Sequence, residues 1–249
     1  MKINTMMCML ATYLCLFVGI SNAQEKSQVS IGFAYIGSDS IYANVPFKSA
    51  LMPTISYKSD TLNLSFQQGA AYKFINNETL SISAAIIPRF RPYKSTDSAG
   101  LSGMTRDMYF DGALNASHEL SRGLSAQFKL GTELTNKFNG NFLDLSLSQF
   151  IPMAGQPIIL KAGATWYSSE RANYLYGVNA SEANGLRAEY APQSVLLPYI
   201  SVNKIYSLTK QTWLFANINM KFLPSKVVNS PIINGNTSVS SVLGLNYSF

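Results

Sequence analysis

Four charged side chains fall at spacings that would align them across neighbouring strands. They are Asp111, Lys129, Asp144 and Lys161. If the chain turns near Glu119, near 134–138 and near Met153, the four become consecutive cross-strand neighbours with alternating sign. Each opposite-charge pair would contribute roughly 0.2–1 kcal/mol. Such a charge ladder would either brace the interior of a sheet or form a constriction that selects ions.

Residues for catalysis are scarce. The single histidine, His118, lies beside Glu119 in a predicted turn, and no G-x-S-x-G, P-loop, H-E-x-x-H or dinucleotide-binding motif occurs. We therefore expect no enzyme, no cofactor and no metal site. The net charge is +6, but the basic residues are scattered, so nucleic acid is not an expected partner.

The elements that would hold these charges are strands. Between Arg122 and Leu134, apolar even-numbered residues alternate with polar odd-numbered ones, and period-2 alternation indicates a strand with two different faces. Similar runs occur at Gln28–Ile36, Leu62–Phe74, Thr79–Phe90, 108–117, Leu143–Ile151, Ile158–Tyr167, Leu196–Leu208, Thr212–Phe222 and Ser238–Phe249. Runs of 9 to 13 residues match tilted membrane-spanning strands.

The polar faces decide between a membrane barrel and a secreted β-sandwich. They carry mostly Ser, Asn, Gln, Thr and Gly, and charged residues make up only 13% of the chain, about half the share in soluble domains. We therefore predict an all-β fold, an antiparallel transmembrane barrel with its apolar face toward lipid. Leu124, Ala126, Phe128, Leu130, Phe110, Leu114, Leu243 and Leu245 should face the lipid.

The N-terminus is typical of a cleaved signal peptide. Lys2 precedes an apolar run over Met6–Ile20, and small residues follow up to Ala23. Residues 1–23 are the predicted signal and 24–249 a single barrel domain. Both cysteines lie within the signal, so the predicted mature chain has none and no disulfide to stabilise it. The predicted location is the outer membrane of a Gram-negative cell, where outer-membrane lipid and lipopolysaccharide would surround the barrel.

The strand count follows from the loops. Short turns alternate with longer segments at Gly37–Ser49, Arg91–Gly103, Thr135–Phe138, Ser168–Gln193 and Pro224–Asn236, which should face outward. One further strand is expected between Ser49 and Leu62, so reading the run Leu62–Phe74 as one strand would make an odd total of eleven. A hairpin at 67–69 restores an even total of twelve strands, with ten as the alternative.

The C-terminus resembles the recognition strand by which the barrel assembly machinery binds its substrates. Phe249 is the last residue, Tyr247 stands two before it and Gly244 five before it, on an alternating strand. The aromatic residues would also suit the interfacial girdle of a barrel.

Three loop motifs, in order along the chain, resemble those of the MipA/OmpV family of outer-membrane proteins. Gly37-Ser38-Asp39 follows the first strand, Tyr176-Gly177 lies in the longest loop, and Ser230-Pro231 precedes the last strand. The resemblance implies an outer-membrane barrel. It also implies a scaffold role, because the family's namesake is regarded as linking a lytic transglycosylase to a bifunctional penicillin-binding protein that synthesises murein.

The residues leave three functions open. One is the scaffold, which rests on the resemblance alone. The second is a pore for small solutes, because a twelve-stranded barrel lies between side-chain-filled barrels and 16-stranded porins. The third is a surface adhesin that uses Ser168–Gln193, where Tyr174, Tyr176 and Tyr190 accompany Arg171 and Arg187. Interfacial anchoring is the favoured interpretation of those tyrosines.

Overall fold

The chain forms a closed antiparallel barrel of twelve strands, which confirms the predicted count. The computed structural model describes residues 27–66, 69–153 and 156–249, so the predicted signal peptide lies outside the described residues. The strands are β1 (Gln28–Ser38), β2 (Lys48–Lys58), β3 (Leu62–Ser65), β4 (Gly69–Asn76), β5 (Leu80–Arg89), β6 (Tyr109–Ser121), β7 (Leu124–Glu133), β8 (Asn141–Ile151), β9 (Ile158–Tyr167), β10 (Val195–Ser207), β11 (Thr212–Phe222) and β12 (Thr237–Ser248).

Each strand pairs with its neighbours in the sequence, and β12 pairs with β1 to close the sheet. The run that alternates through 62–74 is divided, as predicted, into the two short strands β3 and β4, which pair with each other. Since all connections are hairpins, the even strand number places the N-terminus of β1 and the C-terminus of β12 at the same end of the barrel.

The alternating pattern sorts side chains between the lipid face and the lumen. Six of the eight predicted lipid-facing residues are exposed by 39–58%, namely Phe110, Leu114, Phe128, Leu130, Leu243 and Leu245. Leu124 and Ala126 lie on the same face of β7 and are half-exposed. An apolar outer wall of this kind is stable only in contact with lipid.

One end of the barrel has short turns and the other has long loops. The turn between β6 and β7 consists of Arg122 and Gly123, and Gly123 adopts a positive φ of 79° that a side chain would strain. At the opposite end, residues 39–47, 90–108, 134–140, 168–194 and 223–236 form the longer connections. The long loops of bacterial barrels face the cell exterior, so this is the outer end.

The apolar core of the protein lies among these outer loops. The 168–194 loop contains helix α1 (Ser169–Tyr176) and a 3₁₀ turn (Ala180–Glu182), the 90–108 loop contains a 3₁₀ turn (Ala99–Leu101), and the 223–236 loop contains helix α2 (Ser225–Val228). The buried side chains of these three loops and of the 39–47 loop form one cluster with Val195 and Leu197 of β10. The loop residues of the cluster are Ile41, Tyr42, Val45, Tyr93, Leu101, Met104, Ala172, Tyr176, Val178, Leu223, Val227, Ile232 and Ile233. We call the packed segments 39–47, 90–108, 168–194 and 223–236 the loop cap. The loop cap covers the outer mouth of the barrel.

Candidate functional site

The predicted cross-strand register holds for one of the three charge pairs of the ladder, and even that pair forms no ion pair within 4.0 Å among the described residues. Lys129 lies directly opposite Asp144 in the register of β7 and β8, as predicted. The other two rungs are wrong, because Asp111 lies opposite Glu133 and Lys161 lies opposite Ser148. The turn between β6 and β7 is centred at Arg122-Gly123 rather than near Glu119, and a bulge follows Glu119. A displaced turn centre shifts every pair in a hairpin, so the row of four charges is broken.

Asp111 instead binds two arginines. Its carboxylate, fully buried, receives Arg171 Nη2 on Oδ1 at 2.5 Å and Arg171 Nη1 on Oδ2 at 3.1 Å. Arg89 Nε donates to the same Oδ2 at 2.7 Å. Arg171 belongs to α1 and is 1% exposed, so a bidentate ion pair ties the loop cap to the barrel wall.

Aromatic rings surround the Arg171 guanidinium. Its central carbon lies 4.9–5.6 Å from four ring centroids, those of Tyr109, Phe138, Phe142 and Tyr167. Cation–π contacts strengthen when the cation is shielded from water. Arg171, which the sequence placed among possible surface-binding residues, is therefore a buried structural residue.

Two of the three remaining ladder residues, Asp144 and Lys161, have neutral hydrogen-bond partners. Asp144 accepts hydrogen bonds from Thr165 Oγ1 at 2.6 Å and from the Tyr199 hydroxyl at 3.0 Å. Lys161 Nζ donates to Gln127 Oε1 at 2.7 Å. Within the described residues, Lys129 forms no ion pair within 4.0 Å, so its ammonium group is available to a ligand in the lumen.

These groups line a cavity of about 630 Å³ in the lumen. Three cationic side chains, Arg89, Lys129 and Lys161, face it, against the single carboxylate of Asp144. The rest of the wall is mainly small and polar, and it includes Asn63, Ser65, Ser81, Ser83, Asn115, Ser117 and Gln127. A smaller cavity of about 250 Å³ among the short turns shares Ser81 and Ser117 with it, so the space extends toward the periplasmic rim.

Two more buried arginines hold the loop cap together. Arg106 pairs with Glu182 through contacts of 2.5 and 3.0 Å and donates to the Tyr174 carbonyl at 2.5 Å. Burial alone would raise the pKa of Glu182, but the hydrogen bond from Arg106 and its charge hold that pKa below its ordinary value. Arg187 donates to the Gly100 carbonyl at 2.9 Å. These contacts connect the 90–108 loop to the 168–194 loop.

The structure brings two of the family loop motifs together. Ser230 Oγ donates to the carbonyl of buried Tyr176 at 2.6 Å. The Gly177 carbonyl accepts from Arg106 Nη2 at 3.3 Å, and a Cβ on Gly177 would lie 1.9 Å from Asn173 Oδ1. Pro231, which follows Ser230, is exposed. The tyrosine-rich loop is thus packed against its neighbours, which argues against free tyrosines for an adhesin.

The third motif lies where β1 enters the loop cap. A Cβ on Gly37 would lie 2.7 Å from the ring of Phe47, so glycine lets the returning chain pack closely. Ser38 Oγ donates to the Asp39 carbonyl at 3.1 Å, and Asp39 N donates to the Val239 carbonyl at 3.0 Å. These contacts extend the β1–β12 seam beyond its last paired residues.

The predicted assembly signal occupies that seam. Tyr247 is 39% exposed on the lipid face and packs edge-on against Phe249, with ring centroids 5.1 Å apart. The Phe249 backbone N–H donates to the Val29 carbonyl at 3.0 Å. The Phe215 ring occupies the space beside Gly244, where a Cβ would lie 2.2 Å from a ring carbon. Recognition by the assembly machinery stays a prediction.

Comparison with known proteins identifies the family. The family described as "MltA-interacting protein MipA" matches residues 29–249, which is nearly all of the described chain. The chain belongs to the MipA family. The family resemblance drawn from the three loop motifs is therefore confirmed.

Relatives of this MipA-family chain are outer-membrane proteins. It is 25% identical to the outer membrane protein YiaT of Escherichia coli (strain K12) over 230 residues, which covers 90% of this chain and 92% of the relative. It is 23% identical to the 24 kDa outer membrane protein of Pasteurella multocida (strain Pm70), covering 88% and 90% of the two chains. Among solved structures it is similar to an outer membrane channel from Pseudomonas putida F1, with 12% identity, a TM-score of 0.48, and 92% and 97% of the chains covered.

The MipA-family barrel is thus an outer-membrane protein, as the sequence predicted. No helix among the described residues is long and apolar enough to cross a membrane. In the same part of the chain, no group of three or more His, Cys, Asp or Glu side chains is arranged to hold a metal ion.

Proposed function

We propose that this MipA-family barrel is a non-enzymatic channel for small anionic solutes that its loop cap closes on the outer side. The observation that carries the proposal is the lumen cavity of about 630 Å³, with three cationic side chains and one carboxylate. A barrel that served only as a filled scaffold would not need both Lys129 and Lys161 beside a lumen cavity that is lined by a single carboxylate, because buried charge is costly.

The cations suit anion passage. Rings of Arg or Lys side chains select anions in pores, and an excess of one charge within low-dielectric walls concentrates the opposite ion. Lys129 lies about midway along β7, opposite Asp144, where it borders the cavity. Replacing Lys129 by a carboxylate would leave two cations and two carboxylates in the cavity lining. The charge at position 129 should therefore have a large effect on whether the channel prefers anions or cations.

The loop cap would act as the closure. The Arg171–Asp111 ion pair holds α1 against the lumen side of β6, above the cavity. Passage through the outer mouth requires α1 to move away, which breaks this pair. Loss of the Arg171 charge should therefore favour the open state.

Conductance in planar lipid bilayers tests the proposal. We expect the wild-type protein to open rarely, and Arg171→Met to open more often, with steps that prefer anions in a salt gradient. Adding Lys129→Glu to Arg171→Met should shift the preference toward cations. Lys204→Glu, at an exposed lysine on the outer face of β10 that does not line the cavity, is the control for a change of charge outside the lumen. Silence of all variants, or equal ion preference with and without Lys129→Glu, would refute an anion channel.

A scaffold is the second candidate, and the family description as an interacting protein supports it. With the outer mouth covered, the open periplasmic turns would contact a lytic transglycosylase and a bifunctional penicillin-binding protein. Affinity purification from detergent-solubilised envelopes tests this proposal. Retention of both enzymes by the wild-type barrel, and not by an unrelated barrel of similar size, is the expected result. If neither enzyme is retained, the scaffold is refuted.

A further inference from the structure

The barrel wall has an opening on one side in its outer half. β3 is only four residues long and pairs with β2 at Ser56, Tyr57 and Lys58. On the other side of the hairpin, β4 pairs with β5 no further outward than Ile86. In the described chain, residues 49–53 of β2 and 87–89 of β5 therefore have a strand partner on one side only. The five unpaired residues of β2 span about 17 Å.

Prolines stand on both edges of this opening. The Ile55 carbonyl accepts from Phe66 N, so the backbone groups of Ile55, and of Pro53 two residues away, point toward β3 and the opening. By the same alternation from Leu80, whose carbonyl accepts from Asn77 N, Pro88 points toward β4 and the opening. Proline has no N–H to offer, so both edges lack a donor that a completed sheet would need. The sequence itself is therefore suited to a gap at this place.

The opening lies at the level of the lipid hydrocarbon. Leu51 on β2 is 70% exposed and Ile86 on β5 is 53% exposed, both on the outer face. On the β5 side of the opening, the ring of Phe66 at the tip of the short hairpin packs against the ring of Phe90, which follows the outer end of β5, with centroids 6.0 Å apart. Above the opening, Lys48 Nζ and Asp97 Oδ2 join β2 to the loop cap across 2.5 Å.

The cationic cavity lies directly behind the opening. Asn63, Ser65, Gly69 and Ile87, which belong to the short hairpin and to the β5 edge, line it. Arg89 ends the same β5 edge, binds Asp111 through Nε only and keeps a side chain that is 37% exposed. Among the described residues no side chain pairs with its two terminal amino groups, so they can bind an anion in the cavity.

An open sheet edge facing hydrocarbon is unfavourable unless it borders a polar space or a bound molecule. An added peptide strand fits poorly, because Pro53 and Pro88 remove donors that strand addition would use. We propose that the opening admits an anionic amphiphile from the outer leaflet. Its phosphate or carboxylate head binds Arg89, Lys129 and Lys161 in the cavity, and its acyl chain extends between β2 and β5 into the lipid. This inference goes beyond the proposed channel and does not require ion conduction.

Fluorescence quenching in lipid vesicles tests the proposal. The probe is dodecyl phosphate brominated on the second carbon of its chain, next to the head group, so that the bromine quenches a tryptophan that it contacts near the bound phosphate. Three single-tryptophan forms of the full barrel are compared. In the first, Ile87→Trp is combined with Trp166→Phe and Trp213→Phe, which places the reporter on the cavity wall beside the opening. The other two forms retain Trp166 alone or Trp213 alone.

The native tryptophans are the controls. Trp166 is 37% exposed on the lipid face and must be quenched. Trp213 shares the lumen face of β11 with Asn217, on the opposite wall, and should keep its fluorescence. We expect the reporter at position 87 to lose as much fluorescence as Trp166, and to lose less when Lys129→Gln and Lys161→Gln are added.

Competitors separate a lipid head from a free anion. Unbrominated dodecyl phosphate should restore the fluorescence at position 87, whereas inorganic phosphate at the same concentration should not. Equal competition by inorganic phosphate would overturn the proposal, because the acyl chain would then add nothing to binding. If Ile87→Trp fails to fold, Ala71→Trp on the hairpin side of the cavity replaces it. The absence of quenching in the reporter that folds overturns the proposal as well.

Discussion

Arg171→Met should detach helix α1 of the loop cap from the barrel wall without unfolding the barrel. Arg171 is 1% exposed and Asp111 fully buried, and two contacts of 2.5 and 3.1 Å join them. Methionine preserves much of the apolar stem among the surrounding rings but removes the charge. The substitution therefore isolates the ion pair from the packing of α1.

The size of the effect follows from the partners that remain. Removing one member of a buried ion pair costs about 3–5 kcal/mol, because the other charge is left uncompensated. Asp111 keeps the hydrogen bond from Arg89 Nε at 2.7 Å, so we expect the lower end, about 3 kcal/mol. That energy corresponds to roughly a hundredfold larger population with α1 detached.

Proteolysis from outside the vesicle measures this population. When the cap recloses faster than cleavage, the rate of cleavage follows the fraction that is open. Proteinase K should cut within residues 168–194 roughly a hundredfold faster in Arg171→Met than in the wild type. Lys137→Met is the control, because Lys137 and Asp107 are 3.3 Å apart with 43% of each side chain exposed, and such pairs contribute about 0–1 kcal/mol. Equal cleavage of the two variants would refute the role assigned to the buried pair.

Three further predictions concern the wall, the cap and the seam. Leu130→Arg on the lipid face should lower the free energy of unfolding by about 2–4 kcal/mol. Lys129→Arg, one residue away in the lumen, is the control and should change that free energy little. Equal urea midpoints for the two variants would contradict the assigned faces. Because the pKa of Glu182 is lowered in the folded protein, its stabilising contribution is present above its ordinary value of 4.5 and is lost as the pH falls through the lowered value. Pepsin cleavage of the cap should therefore rise at acid pH in the wild type, and a Glu182→Gln variant with the same pH profile would show that this carboxylate is not responsible. Gly244→Ala should lower the free energy of unfolding by about 1–3 kcal/mol, because the added methyl group overpacks against the Phe215 ring. The folded fraction, measured as the heat-modifiable band on a gel, should fall in this variant. It should not fall in Gly185→Ala, whose Cβ would have no neighbour within 4 Å.

The sequence alone was sufficient for the strands, their faces and the closure of the barrel. Alternation is a local property, since neighbouring side chains in a strand point to opposite faces whatever the strand pairs with. The division of the 62–74 run could be inferred because an even strand number was needed to bring both ends of the sheet to one side. The prediction that Lys129 faces Asp144 succeeded because the β7–β8 connection was centred correctly.

The other charge partners were decided by the tertiary structure. Register depends on where a turn is centred and on bulges, and the sequence did not reveal that β6 continues to Ser121 before turning. Asp111 meets Arg171 sixty positions away because a loop folds back over the lumen, which no periodicity encodes. The opening between β2 and β5 likewise depends on how far a short hairpin reaches. Pro53 and Pro88 were visible in the sequence, but only the folded sheet shows that both face the same gap.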